Sequence, residues 1–192
     1  MNNLGFKPLM LVLSSPSGAG KTTISKKIQQ SDNSFRISVS HTTRKARPNE
    51  VNGVDYHFIT EKEFKNLLKE NVFYEHTEIF GNYYGTSKSS VDKIVQKKCN
   101  VIFDIDWKGA NQLSMFKELN LLKIFILPPS KEELEKRLIS RNQDGNESIK
   151  NRLLAYSQDI KHSNEYDHVI INDNVDVCFK EIKKIISNRL NS

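Results

Sequence analysis

Eight residues constrain this chain more than any others: Ser15-Pro16-Ser17-Gly18-Ala19-Gly20-Lys21-Thr22. They stand between an apolar run, Leu9–Ser14, and a segment of helical character, Lys21–Gln30. Strand, glycine turn and helix in that order make a cradle for phosphate. Gly18 and Gly20 let the backbone turn its N–H groups inward and approach phosphate oxygens closely. The helix start adds further N–H donors and a partial positive charge. Lys21 supplies a point charge to the β- and γ-phosphates of a nucleotide, and the Thr22 hydroxyl suits Mg²⁺. One position departs from the P-loop pattern, since Ser15 stands where its first glycine belongs. A lone GxG would be weak, but Gly-Lys-Thr after an apolar strand and at a helix start predicts a nucleotide phosphate site.

The rest of the chain alternates strand and helix. Arg36–Ser40 reads as a second strand, and 41–60 as loop and strand broken at Pro48 and Gly53. Thr60-Glu61-Lys62-Glu63 is a capping box opening a helix that buries Phe64, Leu67 and Leu68. Val72–Tyr84 is aromatic-rich and predicts short strands. Ser90–Lys98 is a helix with Val91, Ile94 and Val95 on its apolar face. Val101–Ile105 and Lys123–Leu127 are continuous apolar strands, the first ending in acids and the second stopped by Pro128-Pro129. Ser130-Lys131-Glu132-Glu133 is a second capping box, for a helix through Ser140. Helix over Ser148–His162, strand over His168–Asn172 and helix over Val175–Arg189 complete the chain. Buried strands alternating with helices predict a parallel sheet covered on both faces, with ligands at the carboxyl ends of its strands. Asp104 and Asp106 fall at such an end, where an acid can hold a water of a magnesium shell.

Composition excludes several other classes. With 192 residues, 37% apolar and 27% charged, the chain suits one soluble domain. No stretch approaches the roughly 18 apolar residues of a membrane helix. The run Leu9–Leu13 follows Lys7 but is shorter than the roughly 7–15 residues of a secretory core. Cys99 and Cys178 are far apart and fit no metal-ligand spacing, and the histidines form no HxxxH pair. The expectation is a cytoplasmic protein with no protein-held transition metal. The net charge of +6 fits a lysine-rich surface, or arginines gathered where polyanionic nucleotides sit. No nucleic-acid recognition motif accompanies it.

Ser40-His41-Thr42-Thr43-Arg44-Lys45-Ala46-Arg47-Pro48, Glu50-Val51-Asn52-Gly53-Val54-Asp55-Tyr56 and Gly81-Asn82-Tyr83-Tyr84-Gly85-Thr86 together resemble the acceptor segment of guanylate kinases. The Asp104-Ile105-Asp106 strand end, the Pro128-Pro129-Ser130 corner and the arginines after it match that family as well. The resemblance runs from Leu9 to about Arg189. It implies an α/β, three-layer P-loop kinase fold with a parallel central sheet, an inserted small α+β GMP-binding lobe and a helical lid. The core would span about 8–37, 89–127 and 160–192, the lobe about 38–88 and the lid about 128–159.

The resemblance also implies an activity, Mg²⁺-dependent transfer of the ATP γ-phosphoryl group to GMP, and residue roles. Ser15, Pro16, Ser17, Gly18, Ala19, Gly20, Lys21, Thr22, Arg137 and Asn172 would hold ATP. Ser40, Arg44, Arg47, Glu50, Tyr56, Glu75, Tyr84, Thr86 and Asp106 would hold GMP. Among these, Arg44, Arg47, Tyr56 and Tyr84 take the GMP phosphate, while Glu75 and Asp106 accept from the guanine N1–H and 2-amino groups. Lys21, Arg44, Arg141 and Arg152 would act on the phosphates in transit, with Mg²⁺ at Thr22 and, through water, at Asp104. No nucleic acid, no membrane and a monomer or homodimer are implied. Two departures stand out: Thr86 where serine is usual, and Trp107-Lys108 where an apolar residue and glutamine are common. The competing class is a guanylate-kinase-like domain that binds partner proteins without catalysis, but such domains usually have a degraded ATP site. Here Gly20-Lys21-Thr22 is intact.

Overall fold

The apolar run ahead of the phosphate motif becomes the axis of the molecule. The computed structural model describes residues 6–140 and 145–191. In chain order it forms β1 (Leu9–Ser14), α1 (Lys21–Ser31), β2 (Phe35–Ile37), β3 (His41–Thr42), β4 (His57–Phe58), α2 (Glu61–Lys69), β5 (Phe73–Ile79) and β6 (Asn82–Ser87). Then follow α3 (Lys88–Gln96), β7 (Asn100–Asp104), α4 (Trp107–Leu113), β8 (Asn120–Leu127), α5 (Lys131–Ser140) and α6 (Asn146–Asp159). A 3-10 helix (Ile160–Glu165), β9 (His168–Ile171) and α7 (Val175–Leu190) close the chain.

β1 is buried along its whole length. Its alternate side chains point to opposite faces, and each face has its own core. Leu9, Leu11 and Leu13 pack with Ile24 and Ile28 of α1 and Ile182 and Ile186 of α7. Met10 and Val12 pack with Val91 of α3 and Ala110 and Leu113 of α4. Burial on both faces is why the strand reads as an unbroken apolar run rather than an alternation. Five parallel strands lie in the order β2-β7-β1-β8-β9. Because all run the same way, the loops after them gather at one edge, the phosphate motif and Asp104-Ile105-Asp106 among them.

A second, four-stranded sheet has the order β4-β3-β6-β5. The predicted strand 36–40 does not exist as one piece. At Ser38 the backbone N–H still bonds the Ile102 carbonyl at 3.0 Å, but the chain then leaves the core sheet, and His41 and Thr42 pair instead with Gly85 and Tyr84. The capping box on α2 forms as expected, with Thr60 and Glu63 bonding reciprocally. Only Phe64 of that helix is fully buried, stacked on Phe73 at 4.8 Å. Leu67 and Leu68 are half-buried, because the small second sheet offers a narrower surface than the core. α4 was not expected from sequence. It is short, and its N-cap is Asp106, whose side chain accepts the Gly109 N–H at 2.9 Å.

Candidate active site

The phosphate motif turns through Gly18 and Gly20, whose φ angles are 96° and 98°, a region that penalises any Cβ. Space excludes one as well. A Cβ on Gly18 would lie 2.9 Å from Leu138 of α5, and one on Gly20 would run into the Asn172 amide. Asn172 donates to the Ala19 carbonyl at 2.8 Å, and Arg137 donates to the Asn172 carbonyl at 2.9 Å. Arg137 and Asn172 line the cleft, and both also prop the loop from behind. Ala19 packs on Leu134 and Leu138 instead of lining the cleft. Lys21 Nζ donates to Asp104 Oδ1, so the loop lysine and the acid at the end of β7 meet directly.

Beside the second sheet, Arg44 forms a two-pronged ion pair with Glu50, at 2.9 and 3.0 Å. Glu50 also accepts the Arg47 backbone N–H at 2.8 Å. Burial pushes the Glu50 carboxyl up, but the Arg44 and Arg47 hydrogen bonds leave it below its ordinary value. Glu50 does not line the cleft. It fixes the Arg44 fork, which also lies 5.4 Å from the centre of the Tyr56 ring. Tyr56 and Tyr84 meet edge to face at 6.0 Å. Arg44, Arg47, Tyr56 and Tyr84 all face the cleft.

Glu75 is 2% exposed. It points inward because β5 alternates with Phe73, Glu75 and Thr77 on its buried side. Burial, with the nearby Asp106 charge, lifts its pKa to about 7 against the bonds from Thr86. Thr86 is buried behind the cleft wall, and its hydroxyl meets that of Ser40 at 2.9 Å. Asp106 keeps one oxygen on its helix cap and accepts from the Thr77 hydroxyl with the other, at 3.2 Å. Thr77 lines the cleft and was missed from sequence, where it reads as an ordinary strand threonine.

Gly109 of α4 makes room for Glu75, since a Cβ there would stand 2.5 Å from Glu75 Oε2. Alanine would favour the helix by roughly 1 kcal/mol, but it would displace the carboxylate. Gly109→Ala is therefore expected to weaken, about tenfold, binding of a ligand that Glu75 holds, while a nucleotide held by the phosphate loop binds unchanged, as titration calorimetry would report.

The far wall comes from α5 and α6. Arg152 donates to the Ser17 hydroxyl of the phosphate motif, and its guanidinium lies 5.4 Å from the Phe80 ring centre. Arg141 lies outside the described residues. Trp107 stacks on His162 with ring centres 3.5 Å apart and donates to Asp159 at 3.2 Å. Burial lifts the Asp159 carboxyl to about 6. Asp159, Trp107, Lys108 and Phe80 line the cleft. Only the departure at Trp107-Lys108 drew notice in the sequence; Asp159 and Phe80 carry no local motif.

These groups share one cleft of about 680 Å³, within the range of small-molecule sites. Thr22 and Asp104 both face it with oxygen donors, which suit a hard cation such as Mg²⁺. Among the described residues no cluster of three His, Cys, Asp or Glu side chains could hold a metal without substrate oxygens.

The family model described as "Guanylate kinase" matches residues 7–189. A guanylate kinase of Rickettsia bellii is 47% identical over 94% of this chain and 94% of its own. One from Zymomonas mobilis is 45% identical over 96% and 85%. The crystal structure of guanylate kinase from Anaplasma phagocytophilum superposes with a TM-score of 0.79 at 33% identity, covering 96% of this chain and 87% of that one. The SH3-kinase fragment of tight junction protein 3, at 13% identity and a TM-score of 0.54, shares the fold alone. With a phosphate loop, an arginine–tyrosine cluster and a buried carboxylate on one cleft, and relatives matching almost end to end, the chain belongs to the guanylate kinase family.

Proposed function

We propose that this cleft seats ATP on the Ser15–Thr22 loop and GMP opposite it, and moves the γ-phosphoryl group from the first to the second. The observation that carries the reading is that one cleft is lined both by Lys21 of the phosphate loop and by the buried Glu75. Guanine offers N1–H and 2-amino donors to Glu75 and Asp106. Adenine offers neither there and would leave Glu75 buried and poorly paired, a mismatch that can discriminate by about 10⁴ or more. The Ser40 hydroxyl, backed by Thr86, faces the carbonyl side of the base. The Arg44 fork, Arg47 and the Tyr56 and Tyr84 hydroxyls take the acceptor phosphate.

In the transfer, an acceptor phosphate oxygen forms a bond to the γ-phosphorus as the bond to the departing ADP oxygen breaks. The acceptor is already an anion, so no strong base is needed. The transition state is loose, and positioning and charge neutralisation dominate. Lys21, Arg44 and Arg152 offset the repulsion between the two anions pressed together. Arg141 is assigned the same role. Thr22 and, through water, Asp104 would hold Mg²⁺, which when bound neutralises charge on the ATP phosphates. Closure of the 128–159 segment over the donor would exclude water, the competing acceptor. We take the protein to work in the cytoplasm as a monomer or homodimer, without nucleic acid or membrane. No helix among the described residues is long and apolar enough to cross a bilayer.

Phosphorus NMR of the protein with Mg²⁺, ATP and GMP is expected to show ADP and GDP growing in equal amounts. Excess EDTA should stop both. Free phosphate in place of GDP would contradict the reading.

A further inference from the structure

The turn between β5 and β6 carries the wrong residue for its geometry. Ile79 pairs with Asn82, leaving Phe80 and Gly81 as a two-residue loop. Both have positive φ, 49° and 72°, as a type I′ turn demands. Asn, Asp or Gly is preferred at the first position, and a bulky side chain there is an outlier. Burial does not account for the choice, because Phe80 is 46% exposed. Its ring instead lines the cleft and stands 5.4 Å from the Arg152 guanidinium, within cation–π range. Arg152 arises from α6, and it also donates to the Ser17 hydroxyl of the phosphate loop and to the Ser148 hydroxyl at 3.3 Å. The acceptor-side hairpin, the lid helix and the phosphate loop therefore converge on one guanidinium.

We propose that Phe80 is a positioning residue for phosphoryl transfer, its ring held over the cleft by the strained turn so as to seat Arg152 against the phosphate loop. Backbone strain of this kind persists where function retains it. A flat aromatic face suits a planar guanidinium and leaves the N–H fork at its edge pointing toward phosphate oxygens. It also limits the rotamers that a long side chain would otherwise sample. The hairpin that carries Phe80 also carries Glu75 and Tyr84. One hairpin thus supplies both the acceptor pocket and the support of the donor-side arginine. The inference rests on the reading of the cleft given above.

Phe80→Asn tests it, because strain and function predict changes of opposite sign. Asparagine fits the turn, so the melting temperature should rise by about 2–4 °C. The ring is lost, so kcat should fall about 5- to 20-fold, with KM for GMP changed less than twofold. Phe80→Tyr, which keeps the ring, should restore kcat. In an Arg152→Ala background Phe80→Asn should change kcat less than twofold, since the group it positions is gone. A Phe80→Asn enzyme with wild-type kcat, or an equal further loss in the Arg152→Ala background, overturns the role of Phe80 alone. A folded wild-type protein with no GMP-dependent turnover in the same assay overturns the functional reading and this inference together.

Discussion

Lys21→Ala is expected to lower kcat by on the order of 10²–10³-fold. The lysine is the one charged side chain within the phosphate motif, and its ammonium reaches Asp104 at the carboxyl edge of the sheet. In the transition state it meets negative charge spreading over the β- and γ-phosphates, where a single donor is worth about that factor. The fold should survive. Lys21 belongs to neither apolar cluster flanking the sheet, and Asp104 stays partly solvated without it. Steady-state kinetics beside a melting curve separates the two effects. A well-folded variant with near-normal turnover would contradict the assignment of the loop.

Glu75→Gln is the second large effect. Glu75 is a buried carboxylate on the cleft wall, and guanine is the partner that satisfies it. Glutamine keeps one acceptor oxygen but loses the charge and brings an amide donor toward the guanine donors. KM for GMP is expected to rise about 100-fold, the cost of a charged hydrogen bond plus an unpaired buried group, while KM for ATP changes little. An equal rise for both nucleotides would count against the role. The pH behaviour gives an independent check. Folding raises the Glu75 pKa from 4.5 to about 7, so the folded chain keeps a proton that the unfolded chain releases. Stability attributable to this group therefore falls as pH rises from about 4.5 to about 7. Acceptor binding needs the ionised form, so KM for GMP should rise as pH drops below about 7. Asp106, which raises the pKa, and Thr86 and Lys21, which lower it, set where that break falls. Glu75→Gln should flatten both dependences.

Much of the fold was legible in the sequence, and the reason is locality. The phosphate loop is written in consecutive residues, and β1 is an apolar run that ends where the loop begins. Relations between segments were less accessible. Sequence alternation carried the second strand on to Ser40, because it cannot see that Ser38 is the last residue held by β7. Glu75 stands between Tyr74 and His76 with no local motif, so only the resemblance marks it, and the packing of β5 against α4 turns it inward. Glu50, assigned to GMP through the family, holds Arg44 from behind the cleft wall, a relation between segments that sequence does not display. Thr86 supports Ser40 from behind, and Ala19 supports the loop. The α4 helix escaped notice because it is short and carries a glycine in its middle, kept there by the Glu75 carboxylate rather than by helix preference. Phe80 was invisible because its turn breaks the preference that would have announced it.

The central claim is that one cleft joins an ATP phosphate loop to a guanine-reading acceptor pocket. The most direct test is ADP release from Mg²⁺-ATP with GMP, AMP, UMP or no acceptor. ADP is expected with GMP, and little above background with the others. ADP formed with AMP or UMP but not with GMP would remove Glu75 and Asp106 as guanine readers, and no turnover with any acceptor in folded protein would contradict the account as a whole.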